Sequence, residues 1–247
     1  MTDVDSYFIC ATPRTGSSLL CGLLASTGLG GRPEAYFRVP DEPAWAGRWG
    51  LDPTAFDYGD FVAAALAAGR TGNGVFGAKL MWGTLDRVVE GLATVHPELA
   101  GADDALLRRA FGRTAFVHLR RDDVLAQAVS WLRAEQTNRW YVGCPDANGA
   151  EPRYDPEGID DLVRTIDAHQ AAWEEWFAAY QVTPRRVRYE ELAADPAGVT
   201  RKVLGFLGLE LPAGATIRPR HRRQADALNR EWIDRHRAGG RLPESDG

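Results

Sequence analysis

An uninterrupted run, Tyr7-Phe8-Ile9-Cys10-Ala11, follows a polar start, and its apolar positions have no helical spacing. It is short and flanked by polar residues, so it reads as a buried strand. Thr12-Pro13-Arg14-Thr15-Gly16-Ser17-Ser18 comes next, with a turn at Pro13 and Gly16 and a helix start at Ser17 or Ser18. Leu19, Leu20, Leu23 and Leu24 make one face of that helix, which ends in Thr27-Gly28-Leu29-Gly30-Gly31. Further strands are expected at Val75–Trp82, at Thr114–Leu119 and within Gln181–Tyr189. Helices are expected at Asp60–Ala68, Leu85–Val95, Asp103–Phe111, Val124–Thr137, Ile159–Tyr180, Ala197–Leu207 and Asp226–His236. Residues 32–59 and 143–156 show little periodicity and are expected to be loops, a length of irregular chain that usually serves as a lid or binding loop. Short strands alternating with helices predict an α/β fold, a sheet with helices on both faces.

The first strand-loop-helix unit carries the clearest chemistry. A loop feeding a helix N-terminus presents free backbone N–H groups and the positive end of the helix dipole to an anion. Arg14 adds a cationic fork, and Thr15, Ser17 and Ser18 add hydroxyl donors, so the unit is expected to hold phosphate or sulfate. The alternative is that Gly16 only turns the chain and Arg14 sits in solvent. The loop is not G-x-x-x-x-G-K-[ST], because no Lys follows Gly16, and G-x-G-x-x-G is missing as well. A second charged loop, Arg120-Arg121-Asp122-Asp123, also leaves the end of a predicted strand. Open α/β sheets bind ligands at that end, so the two loops support one site.

Composition narrows the partners. The 247 residues suit a single large domain, and a hydrophobic fraction of 45% suffices for a core. A formal charge of −5 argues against a general nucleic-acid binder, despite the basic stretch from Arg218 to Arg223. Cys10, Cys21 and Cys144 form neither a disulfide framework nor a metal-ligand spacing, and no metal is predicted. No signal peptide and no transmembrane run is read, so a cytoplasmic setting without stable membrane insertion is expected.

Pro13-Arg14-Thr15-Gly16-Ser17-Ser18-Leu19-Leu20 resembles the 5′-phosphosulfate loop of sulfotransferases that use 3′-phosphoadenosine-5′-phosphosulfate (PAPS). Gly77-Ala78-Lys79-Leu80-Met81-Trp82, the block from Arg121-Asp122-Asp123 through Gln127-Ala128-Val129-Ser130-Trp131, and Arg223-Gln224-Ala225-Asp226 before Trp232 extend the match over nearly the whole chain. Together they resemble the bacterial trehalose 2-sulfotransferase family. The resemblance implies a P-loop-like α/β fold of the sulfotransferase type over residues 1–247, PAPS as sulfuryl donor and a homodimer. It implies that Arg14, Thr15, Gly16, Ser17 and Ser18 hold the phosphosulfate. Arg121, with Arg120, and Ser130 would hold the 3′-phosphate, and Arg223, in a basic segment spanning 218–236, would close over the nucleotide. The acceptor would be a carbohydrate or glycosylated small molecule, with trehalose the first guess. A small-molecule P-loop kinase and a non-catalytic PAPS- or PAP-binding protein are the alternatives, PAP being 3′,5′-adenosine bisphosphate.

The acceptor hydroxyl must lose a proton. Aligned on Pro33 and on Tyr36-Phe37, the family's catalytic Glu falls on Ala35, and Glu34 stands one position earlier. Glu34 is therefore the candidate catalytic base beside Arg14, with Asp41, Glu42 and His118 as alternatives. Lys79 and Trp82 read equally as packing groups. Trp131 and Trp140 read either as sugar platforms or as core.

Overall fold

The computed structural model describes residues 4–140, 149–212, 215–217 and 227–239. Among them, strands β1 Ser6–Ala11, β2 Phe76–Met81, β3 Thr114–Arg120 and β4 Arg185–Arg188 pair in parallel in the order β2-β1-β3-β4. Helices α1 Ser17–Ser26, α2 Glu42–Arg48, α3 Tyr58–Gly69, α4 Trp82–Val95, α5 Asp103–Phe111 and α6 Val124–Thr137 follow in chain order. They are succeeded by α7 Pro156–Ala179, α8 Tyr189–Ala194, α9 Pro196–Phe206 and α10 Ala227–Arg237.

β1 is central, and its side chains alternate between two cores. Tyr7, Ile9 and Ala11 join Leu20, Leu23 and Leu24 of α1 and Val199 and Val203 of α9. Phe8 and Cys10 join Phe61, Val88, Phe111, Trp173 and Phe177 from α3, α4, α5 and α7. Helices therefore cover both faces, as expected for strands that read as continuous apolar runs. A third cluster, with Val129, Ile159, Ile166 and Trp232, ties α6, α7 and α10 together. Cys10 and Cys21 are buried free thiols, in keeping with core packing. Cys144 lies outside the described residues.

Several elements differ from expectation. Residues 38–59 are irregular only in part: a 3₁₀ turn at Val39–Asp41 leads into α2, residues 49–57 are turns and bends, and α3 begins at Tyr58. The prolines that suggested a loop serve helix starts instead, because Pro43 occupies the first turn of α2, where its missing N–H costs nothing. Trp82 starts α4 and does not end β2. α7 begins at Pro156, where Asp155 caps it by accepting from Gly158 N at 3.0 Å.

The topology determines where a ligand can sit. The chain leaves β1 for β2 on one side and then crosses to β3 on the other. The order reverses at β1, so the loops after β1 and β3 flank one crevice at the carboxyl end of the sheet. Trp173 donates its indole N–H to the Ala11 carbonyl at 3.2 Å and so fixes the strand end from which the first loop springs.

Candidate functional site

The β1–α1 loop has two left-handed residues, Arg14 at φ 67° and Gly16 at φ 83°. Left-handed positions in a tight turn direct successive N–H groups to one side, which makes an anion-binding concavity. Gly16, rather than a serine, occupies the N-cap position, and Leu20 N makes an α-helical bond to Gly16 O at 3.1 Å. The N–H groups before Leu20 point out of the helix end toward the crevice. Gly16 is also required for close approach, because a Cβ there would stand 2.7 Å from the Tyr189 ring. The sequence offered the Thr15 hydroxyl as a donor to the anion, and the structure commits it elsewhere. It is buried and donates to Thr12 O at 2.9 Å, so Thr15 offers only its backbone. Ser17 is buried and Ser18 half-buried.

Arg14 reaches across to α6. Its Nε donates to Ser130 Oγ at 3.0 Å, and its Nη1 donates to the Trp140 carbonyl. Burial, then the like charge of Arg121, lower its pKa to about 10. Arg121 stacks over Tyr189, with its guanidinium carbon 4.7 Å from the ring centroid. Glu190 accepts from Asp122 N at 3.2 Å and from Asp123 N at 3.4 Å, which pins the loop that carries Arg121. Arg14, Arg121 and Ser130 are thus brought together. Arg120 goes elsewhere: its charge acts on His118 and Glu174. Arg223 lies outside the described residues, as do 143–148 of the expected acceptor loop and 218–226 of the basic segment.

On the β2 flank, Lys79 Nζ donates to Ser18 Oγ at 3.3 Å, which places an ammonium at the helix start. Sequence reading missed this role because Lys79 sits 61 positions from Ser18. Glu34 is exposed, and its main chain bridges β2, with Lys79 N donating to Glu34 O at 2.9 Å. The Cys21 thiol is pushed up to about 12, first by burial, with Lys79 lowering it and Glu34 raising it. Cys21 lies midway along α1, so both charges are felt at the middle of that helix. Glu34 also borders a groove of about 400 Å³ with Arg32, Thr71 and the far end of α1, a volume within the range of small-molecule sites.

The alternative bases are occupied. Asp41 pairs with Arg38 at 3.0 Å, and buried Glu42 pairs with Arg87 at 2.9 Å. The Glu34 carboxylate has no side-chain partner among the described residues. His118 is buried beside Phe177, on the sheet face opposite α1, with Nδ1 3.3 Å from Glu174 Oε1. Trp131 is buried and donates to Glu135 at 2.7 Å, so it is core, not a platform. Trp82 packs edge-on against Trp173 at 5.0 Å.

His118 carries a stability signature. Burial dominates and lowers its pKa from 6.5 to about 4. The unfolded chain then takes up this proton before the folded one does, so stability is lost as pH falls from about 6.5 toward 4. The His118→Gln variant is expected to show a smaller fall in Tm over that interval. An equal fall in melting curves at matched ionic strength would show that other groups set the acid limb.

Among the described residues, no group of three or more His, Cys, Asp or Glu side chains is placed to hold a metal ion, and no helix is long and apolar enough to cross a membrane. A family model described as Stf0 sulphotransferase matches residues 6–239. The chain belongs to the Stf0 sulphotransferase family. Curated members of similar sequence include a trehalose 2-sulfotransferase of Mycobacterium tuberculosis, 32% identical over 95% of both chains. Another is the trehalose 2-sulfotransferase of Mycolicibacterium smegmatis, 31% identical over 94% of both. The parallel sheet with flanking helices accords with membership of the Stf0 family, whose match spans every strand described above.

Proposed function

We propose that this Stf0 protein transfers the sulfuryl group of PAPS to a hydroxyl of a carbohydrate, with trehalose the first acceptor to test. The observation that carries the reading is that two arginines converge on one helix N-terminus: Arg121 stacks on Tyr189, the ring against which Gly16 lies, and its charge acts on Arg14 of the same loop. Two guanidiniums beside the outward-facing backbone N–H groups of a helix start suit an anionic ligand. In this reading the loop acts as a P-loop-like cradle. Arg14 and the backbone N–H groups of Thr15, Gly16, Ser17 and Ser18 take the 5′-phosphosulfate, while Arg121 and Ser130 take the 3′-phosphate without Arg120, whose charge acts on His118 and Glu174. Arg223 would add a further cation from the basic segment.

The chemistry follows from these placements. The acceptor oxygen attacks sulfur, the bond from sulfur to the phosphate oxygen breaks, and PAP leaves with the electron pair. Negative charge grows on the peripheral and leaving oxygens, where Arg14, Lys79 and the N-terminal amides can stabilise it. Glu34 takes the acceptor proton, a role supported by a carboxylate without a side-chain ion pair among the described residues, on the same β2 flank as Lys79.

The test is incubation of purified protein with PAPS, with and without trehalose, following PAP release and sulfated product by mass. Trehalose-dependent product supports reaction and acceptor together. PAPS binding without product keeps the donor site and sends the search to other hydroxyl acceptors, whereas absence of PAPS binding overturns the proposal. Arg121→Ala is expected to lower the preference for PAPS over adenosine 5′-phosphosulfate by about 10- to 100-fold, the usual size of a charge-assisted contact. An unchanged preference in competition binding would remove Arg121 from the 3′-phosphate.

A further inference from the structure

Gln127 is fully buried on α6, between the two charged loops. Its Nε2 donates to Thr12 Oγ1 at 2.6 Å and to Pro13 O at 2.7 Å, across more than a hundred positions of sequence. Both amide hydrogens are thus committed to the first two residues of the β1–α1 loop. The Gln127 Oε1 atom is buried and has no hydrogen-bond partner among the described residues. A buried unsatisfied carbonyl is destabilising and calls for an explanation. An apolar residue of similar volume would fill the same space without that cost, so packing alone does not account for a glutamine here.

We infer that Gln127 is a positioning residue for the donor site, acting through the loop and not by touching the donor. The geometry gives the means. In a trans peptide the C=O and the following N–H point in opposite directions. Drawing Pro13 O toward Gln127 therefore directs the Arg14 N–H away from α6. The same constraint sets the peptide that leads into Arg14, which occupies a left-handed conformation unfavourable for a residue with a side chain. Ser130 lies one turn along α6 and receives Arg14 Nε. α6 thus holds the loop at two points, its backbone through Gln127 and its cation through Ser130.

This inference rests on the proposed PAPS site, and it predicts a division of labour within it. Gln127 shapes the 5′ half of the donor site and leaves recognition of the 3′-phosphate alone. In Gln127→Met, the affinity for PAP is expected to fall about tenfold or more, the effect of two lost buried hydrogen bonds. The ratio of PAP to adenosine 5′-monophosphate affinity, which reads the 3′-phosphate, stays within about twofold of wild type. Thr12→Val removes one of the two acceptors with little change of shape, and it gives a smaller fall. In the double variant, Thr12→Val adds nothing to Gln127→Met, because the two residues act as one unit.

Isothermal titration of PAP and adenosine 5′-monophosphate against folded wild type and the three variants provides the test. Wild-type PAP affinity in Gln127→Met overturns the inference alone. A ratio that collapses along with the affinity also overturns it, since the effect would then reach the whole site. Should Gln127→Met not fold, Thr12→Val decides the matter on the same two readouts. A wild-type protein that binds neither nucleotide overturns the donor reading and this inference with it.

Discussion

Glu34→Gln lowers the rate of sulfuryl transfer at saturating acceptor by about 10²- to 10⁴-fold, the usual contribution of general-base catalysis, and leaves PAP affinity nearly unchanged. The glutamine keeps the size of the side chain but cannot take up the acceptor proton. Glu34 stands on the β2 flank, while Arg14, Arg121 and Ser130 meet on the β3 side of the loop. Donor binding and proton removal are therefore separable. The measurement is kcat and KM for the acceptor, together with PAP affinity by titration. A loss confined to kcat supports the base. A rise in KM alone assigns Glu34 to acceptor binding, and near-normal turnover removes it from the mechanism. The other carboxylates of this region cannot easily substitute, since Asp41 and Glu42 are held by Arg38 and Arg87.

Arg14→Met weakens PAP binding and lowers kcat, together by about 10²- to 10³-fold, the range for removal of one preorganised charge stabiliser. The same substitution is expected to change the Tm of the ligand-free protein little, because release of a desolvated charge offsets the lost hydrogen bonds to Ser130 and the Trp140 carbonyl. The Arg14 charge is largely desolvated and faces Arg121. Methionine retains much of the apolar stem and discards the buried charge. Sites built for an anion carry such strain until the anion arrives. Melting curves with and without PAP separate the two effects, since a bound ligand raises Tm only in proportion to its affinity. A fall in ligand-free Tm with unchanged PAP affinity would make Arg14 a structural residue.

The elements of the fold were largely legible in the chain. β1, β3, α5 and α6 follow from apolar runs and periodicity, because each is bounded by polar or turn residues that act locally. The segment from Arg38 to Gly59 was not, since α2 is short and its proline sits where a helix start tolerates one. Trp82 looked like strand because it is aromatic and continues an apolar run. It starts α4 because its ring finds Trp173, a contact made across the fold.

The sequence by itself determined the chemistry on offer: a strand, a loop with Arg14 and Gly16, a helix start, and a second loop with Arg120 and Arg121. It also carried the family, through the order of its motifs. Tertiary structure alone decided which of those groups meet. It sent Arg121 to the loop and Arg120 toward His118, because neighbouring side chains leave a strand end on opposite faces. It tied up Thr15, Asp41 and Glu42, and it brought Lys79 and Gln127 to the loop from the neighbouring strand and from α6. Thr15 and Asp41 find their partners three positions away, but Glu42 and Arg87, Ser18 and Lys79, and Thr12 and Gln127 lie 45, 61 and 115 positions apart. Only packing of the completed sheet and its helices brings them within hydrogen-bond distance.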